Sequence, residues 1–425
     1  MPFRYRSLIF AACFLLLTCS VLVFPDSSIK SYLVQKELTP EQWREDVDFL
    51  AKELPKKHKN LYHNISDSEF QAQIEKLKAK LPSMEQSEIL VSLMKIIASV
   101  SDSHTTLGYR PQRALPLMLY WFKDGIAILN TTAEYKEILY GKITAIGNTS
   151  IEDVVAVLTA VIPHENLAQV KNKIPNFLTD TVILHSMKLI PSQEKASLTV
   201  LTGSGRTITL DMNPISFSSK PEWLVDTSNE SHVPLYLRNP QQFYWYEILS
   251  DSKALFFKYN SCKDSKDEPF GDFVKRLFEE ADAKKVEKII IDLRHNGGGN
   301  SGIFAPFLAE IKKRPRFMQK GNIYVLIGRR TFSSAILNAI DLQKETPAIF
   351  VGEPTGGKPN HYGEVQMFVL PNSKIPVTYS IKYFKVIDGD PDSLVPDILI
   401  ERRLPDYLNR IDPVLRSVLE KKYPF

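Results

Sequence analysis

The stretch YVLIGRRTFSSAILNAIDLQKETPAIFVGEPTGGKPNHYG, residues 324–363, decides how the chain is read. An apolar run has the length of a buried strand, and Ser333 and Ser334 follow it at the head of a helical pattern. A second apolar run leads into a loop, Gly352-Glu-Pro-Thr-Gly-Gly-Lys358. A serine at a strand-to-helix turn has two readings. It can cap the helix through its hydroxyl. It can also act as a nucleophile, because the turn lifts the hydroxyl off the sheet and the helix start offers free N–H groups and positive potential. The stretch alone favours the cap.

Two other loops bear on that choice. Arg294-His-Asn-Gly-Gly-Gly-Asn300 follows a predicted strand over 286–293. Consecutive glycines let backbone N–H groups approach an anion closely, as a phosphate site or an oxyanion hole requires. The spacing is not that of a dinucleotide fingerprint. The loop ending at Lys358 fits the letters of a phosphate-binding loop. Pro359, however, replaces the hydroxyl residue that would reach Mg²⁺, and it disfavours helical geometry at Lys358. Nucleotide hydrolysis is set aside. Far upstream, Ser101-Asp-Ser-His-Thr-Thr106 is a polar cluster just after an apolar helical pattern. His104 there is a candidate general base, since a free imidazole titrates near neutrality. A capping loop is the plainer reading of that cluster.

The remaining chain supplies the frame. Arg4 and Arg6 precede an almost wholly apolar run over 8–24. This predicts a signal sequence or membrane anchor in 1–28, near the lower length limit for spanning a bilayer. The body is then expected at the extracytoplasmic face, or secreted if the segment is cleaved. Residues 39–110 predict a helical domain. Thr39-Pro-Glu-Gln42 is a capping box, Trp43, Val47, Leu50 and Leu54 share one face, and a second cap stands at Ser66-Asp-Ser-Glu69. His58 and His63 lie among charged residues and read as solvated. Residues 116–212 run strand, turn, strand, helix and closing hairpin, the order of a small, partly open β-barrel module. Residues 213–242 read as a linker or an extended crossing segment, and 243–425 as an α/β unit. Asp292 and Arg294 read as a structural ion pair at a strand end, with His295 and His361 structural beside the glycine loops.

Composition excludes several classes. A hydrophobic fraction of 44% and a charged fraction of 24% belong to a folded globular protein. The net charge of +4 is spread along the chain with no basic tract, which argues against nucleic acid as a partner. Of the three cysteines, Cys13 and Cys19 lie in the N-terminal apolar segment. Cys262 is left alone in the body, so neither an internal disulfide nor a multi-cysteine metal site is expected there.

Three motifs in order make the chain resemble a serine peptidase family that includes the tail-specific (C-terminal-processing) peptidases and the tricorn protease core. They are Asp102-Ser-His-Thr105, the strand ending in Asp292-Leu-Arg-His-Asn-Gly-Gly-Gly299, and Thr331-Phe-Ser-Ser with Gly352-Glu-Pro-Thr-Gly-Gly-Lys358. The resemblance covers residue 39 onward and is strongest over 254–400. It implies a mixed α/β (α+β) fold: a ClpP/crotonase-like ββα core, an N-terminal helical domain, and a PDZ-like or small β-barrel insert. No carboxylate-binding loop of the PDZ kind is visible in the insert. The resemblance places the nucleophile at Ser333 and the oxyanion hole at Ser334 with Gly297 or Gly298. It offers two bases: Lys358, as in tail-specific members, or His104 preceded by Ser103, as in tricorn-type members. His104 is slightly favoured. Asp388 and Asp390 lie where such members carry an acidic partner.

The resemblance therefore implies a serine-type peptidase acting on proteins or peptides, with no cofactor and no metal. The alternative is a non-catalytic binding protein on the same scaffold, because fold does not dictate function.

Overall fold

The computed structural model describes residues 37–225 and 233–420. The expected anchor in 1–28 lies outside the described residues. Among those described, no helix is long and apolar enough to cross a membrane.

The C-terminal half is built on a six-stranded sheet. Its strands lie in the order Tyr244–Leu249, Ala254–Tyr259, Lys288–Asp292, Ile323–Ile327, Ile349–Gly352 and Ile398–Leu399. The first pair is antiparallel and every later pair is parallel. Side chains alternate between two buried faces, as the period of two in a strand requires. Leu255, Phe257, Ile289, Ile291, Val325 and Ile327 enter one core with helices Phe270–Ala283, Ala305–Lys312 and Ser334–Glu345. Phe256, Ile290, Leu326 and Val351 face the other way, against Val414, Leu415 and Val418 of helix Pro413–Glu420. Successive parallel strands are added on one side, so right-handed crossovers put their helices on a single face. The loops at residues 293–300, 328–333 and 352–358 then emerge together at the carboxyl ends of neighbouring strands.

Asp292 and Arg294 form the structural pair that the sequence suggests, extended by Asp412. Arg294 donates to Asp292 Oδ2 at 2.6 Å and to both Asp412 oxygens at 2.8 and 2.7 Å. This buried cluster fixes the last helix under the sheet.

The N-terminal helices run Pro40–Lys57, Asp67–Lys80 and Gln86–Ala98, with the capping boxes at Thr39 and Ser66 in place. Helix Pro40–Lys57 is docked through buried Asp46, which accepts the N–H groups of Asn372 and Ser373 at 2.7 and 2.8 Å. Those residues form the turn of a hairpin, His361–Val369 with Pro376–Phe384, that follows the glycine loop.

The inserted module is an open antiparallel sheet, Leu117–Phe122, Gly125–Thr131, Lys142–Ile146, Ala196–Leu201 and Thr207–Met212. Its two outer strands do not pair with each other, so the sheet stays open. Helices Leu167–Phe177 and Thr181–Ser186 were not foreseen. Pro175 inside the first of them and its many polar residues mask the helical period. In the expected linker, Ile215–Ser216 pairs with Arg113–Ala114.

Candidate active site

Ser333 is the first residue of the turn into helix Ser334–Glu345. Its backbone has φ 53° and ψ −128°, a left-handed conformation that costs a non-glycine residue about 1–3 kcal/mol. Surrounding bonds hold it there. Thr331 Oγ1 donates to Leu293 O at 2.9 Å, Phe332 N to Asn296 O at 3.0 Å, and Gly356 N to Thr331 O at 3.0 Å. The three carboxyl-end loops are thus stitched to one another around the serine. Ser333 occupies the N-cap position, yet its side chain makes no capping hydrogen bond. The hydroxyl instead meets His104 Nε2 at 3.1 Å. This geometry separates the two readings of the turn: the strain serves the direction of Oγ, not the helix end. Ser334 is a different case. Its hydroxyl donates to Gly299 O at 2.6 Å, so it ties two loops together.

His104 reaches the serine from the far end of the chain because its loop is bonded to the hairpin. Thr106 and Leu107 pair with Thr378 and Val377 of strand Pro376–Phe384, and Thr378 Oγ1 donates to His104 O at 2.8 Å. The imidazole is sandwiched between Phe332 and His361, with ring centroids at 4.5 and 5.7 Å. With Nε2 accepting from the serine, Nδ1 carries the hydrogen. That atom is buried and has no hydrogen-bond partner among the described residues; Asp102 Oδ1 lies 3.8 Å away.

Asp102 is engaged mainly through Oδ2, which takes three donors, while Oδ1 takes one. Its carboxylate accepts the His104 N–H at 2.9 Å, Thr105 Oγ1 at 2.6 Å, Ser380 Oγ at 2.6 Å and His58 Nε2 at 3.0 Å. Burial alone would raise its pKa; the nearby His104 imidazole and the hydrogen bond from His58 outweigh it and hold the carboxyl far below the usual range. His58, expected to be solvated, is therefore a buried partner of the site. Its run of charged neighbours marks a helix end that reaches over Asp102.

Ser103 Oγ donates to Gln169 Oε1 at 2.5 Å, which ties the histidine loop to the inserted module. Lys358 does not point at the serine. Its ammonium donates to Asp390 Oδ2 at 2.6 Å and lies 3.7 Å from Asp392 Oδ1. Burial opposes the charge, but these carboxylates outweigh it and raise the lysine pKa. In this arrangement the Lys358 ammonium pairs with Asp390, and it is His104 that meets the serine hydroxyl. Asp390 is occupied by that lysine, and Asp388 and Asp390 are both exposed. The carboxylates found near His104 are those of Asp102 and Glu165.

The oxyanion candidates separate as well. The Gly298 N–H is given to Asn296 Oδ1 at 2.9 Å, and a donor so engaged is not offered to an oxyanion. Gly298 contributes room: a Cβ there would stand 2.8 Å from Ser333 Cβ and 3.0 Å from Ser334 N, at φ +104°. Gly297 and Ser334 remain as donors, and the N–H of a first-turn helix residue has no acceptor within its own helix.

His361 Nδ1 faces the carbonyls of Lys358 and Pro359, each at 3.0 Å, and burial and the charge of His104 push its pKa down to about 4. It packs as a neutral ring. Glu165 was missed by sequence reasoning. Its carboxylate accepts the N–H of Ser103 at 3.3 Å and of Lys358 at 2.9 Å. One signal was legible: Asn166-Leu-Ala-Gln169 has the pattern of a helix start, which puts Glu165 just before a cap. One ligand-type atom each from Asp102, His104 and Glu165 lies within 4.8 Å of the others.

The sheet with its carboxyl-end loops, the N-terminal helices and the inserted module together form a mixed α/β fold shared with solved CPAF structures. The structure of mature CPAF complexed with lactacystin superposes with a TM-score of 0.63 at 13% identity, over 91% of this chain and 100% of that one. Mature CPAF gives 0.63 at 14% identity over 91% and 99%, and a serine-to-alanine CPAF mutant gives 0.60 at 13% over 92% and 99%. At these identities the likeness is one of fold. No family model and no curated protein matches the chain.

Proposed function

We propose that the chain is a serine-type peptidase in which Ser333 is the nucleophile and His104 the general base. The observation that carries this reading is the 3.1 Å contact between Ser333 Oγ and His104 Nε2, made by a serine in a strained turn at the head of a helix. His104 takes the hydroxyl proton as Oγ attacks the substrate carbonyl carbon. The N–H groups of Ser334 and Gly297 stabilise the oxygen that becomes negative. His104 then gives the proton to the departing amine, and a water molecule, activated by the same imidazole, releases the acyl group. Lys358, on the facing loop, orders that loop through Asp390. Protein or peptide substrates are inferred from the peptidases that share the fold. We further assign the N-terminal apolar segment as the anchor that holds the body at the extracytoplasmic face, to be tested by fractionation of cells expressing the full chain with and without residues 1–28.

A fluorophosphonate probe tests the chemistry. Labelling is expected at Ser333 and is expected to vanish in Ser333→Ala. Labelling of Ser334 would overturn the assignment. A folded protein that neither takes the probe nor cleaves any member of a broad peptide pool would favour the binding-protein alternative.

A further inference from the structure

Glu165 precedes the N-cap of helix Leu167–Phe177 and belongs to no catalytic motif. We propose that Glu165 is a positioning residue for His104: its carboxylate ties the histidine loop to the glycine-rich loop and supplies the negative charge that the imidazolium does not receive through a direct bond to Asp102. This rests on the serine–histidine reading above and deepens it.

Four observations converge. His104 Nδ1 is buried without a hydrogen-bond partner among the described residues. The nearest Asp102 oxygen, Oδ1, stands 3.8 Å from it, beyond hydrogen-bond reach, and accepts the His104 backbone N–H, while three other donors hold Oδ2. A Glu165 oxygen lies within 4.8 Å of a His104 nitrogen. The two Glu165 oxygens accept from Ser103 N, next to His104, and from Lys358 N on the opposite loop. Space for the carboxylate is made by Gly357, where a Cβ would lie 3.2 Å from Glu165 Oε2. The charged and titratable groups facing Glu165 are His104 and Asp102 from the histidine loop and Lys358 from the glycine loop; His361 stacks on His104 from the hairpin. Burial pushes the Glu165 carboxyl up, opposed by the attraction of His104. A carboxylate that is costly to ionise alone gains most when a cation forms beside it, and His104 becomes that cation while it holds the serine proton.

The tethering and the charge can be separated. Glu165→Gln preserves shape and one acceptor but removes the charge; Glu165→Ala removes both. Fluorophosphonate labelling of the full chain is followed across pH 5 to 9, roughly the window in which a histidine titrates. Glu165→Gln is expected to lower the maximal labelling rate about tenfold and to move the pH midpoint of labelling downward, because the imidazolium loses its counter-charge in both ground and transition states. A wild-type midpoint in Glu165→Gln overturns the proposal, whether the rate is retained or lost and whatever Glu165→Ala does: the residue is then a tether. A second readout needs no reactivity and so separates this proposal from the peptidase reading. In Ser333→Ala protein with ¹⁵N-labelled histidine, the His104 titration should move to lower pH on adding Glu165→Gln, or to a smaller extent with Glu165→Asp if the glutamine variant does not fold. An unmoved titration overturns the proposal even if Ser333 is labelled. A moved one supports it even if no peptide is cleaved.

Discussion

His104 Nε2 and Ser333 Oγ meet at 3.1 Å although 229 positions separate them in the chain. The pairing exists because Thr106–Leu107 joins the hairpin that leaves the glycine-rich loop, so the histidine loop and the serine turn share one support. Lys358, far nearer to Ser333 in sequence, is drawn away by Asp390.

The two candidate bases should therefore respond differently to removal. His104→Ala is expected to lower the labelling rate of Ser333 and any peptide cleavage by about 10²–10⁴-fold, the range that a general base contributes. Lys358→Ala should cost less than about tenfold, through loss of loop order alone. Rate measurements on both purified variants check this. A lethal lysine change beside a tolerated histidine change would refute the assignment.

Gly298→Ala addresses the turn itself. The added methyl would stand 2.8 Å from Ser333 Cβ at a backbone angle that disfavours any side chain. Activity is expected to fall at least about tenfold from displacement of the serine, since small misplacements near a reacting atom are costly. Gly203→Ala, where nothing lies within 4 Å, is the control and should leave the rate unchanged.

Acid should destabilise the fold partly through His361. Its pKa in the folded state, about 4, lies below that of a free histidine at about 6.5, so the unfolded chain binds the proton more readily. The contribution is fully present above pH ~6.5 and is lost as the pH falls toward 4, amounting to a few kcal/mol at most. Urea midpoints of wild type and His361→Phe, compared across that window, should converge from a larger difference at neutral pH or cross; parallel curves would show that His361 does not titrate as stated. Asp102, with its pKa depressed, loses its contribution only as the pH falls below about 4.

Asp412→Ala tests whether the Asp292–Arg294 cluster is structural. The change leaves a buried guanidinium with half of its partners gone, and breaking such a pair costs about 3–5 kcal/mol. Chemical denaturation should show that loss, while the labelling rate of the folded fraction stays near wild type. A fall in rate without a fall in stability would place the cluster in the chemistry.

Much of this was legible in the residues. The capping boxes at Thr39 and Ser66, the apolar strands that build the sheet and the serine turn all depend on patterns a few residues long. Short patterns are written directly in sequence, because a strand or a cap is decided by neighbours along the chain. The motif at Asp102–Thr105 was visible, but the partners of Asp102 were not: His58 and Ser380 come from elements distant in sequence. Helix Leu167–Phe177 was hidden by Pro175 and its polar residues, and Glu165 was hidden with it.

By itself, the sequence marked a serine at a strand-to-helix turn and two glycine-bearing loops that follow strands. It also narrowed the proton acceptor to His104 or Lys358. Only the tertiary structure brings His104 Nε2 to Ser333 Oγ and the Lys358 ammonium to Asp390. Which group meets Ser333 depends on how a hairpin, a helix end and an inserted module dock, and on which carboxylate reaches which cation. Those contacts join residues hundreds of positions apart, and no local pattern encodes a distance across them.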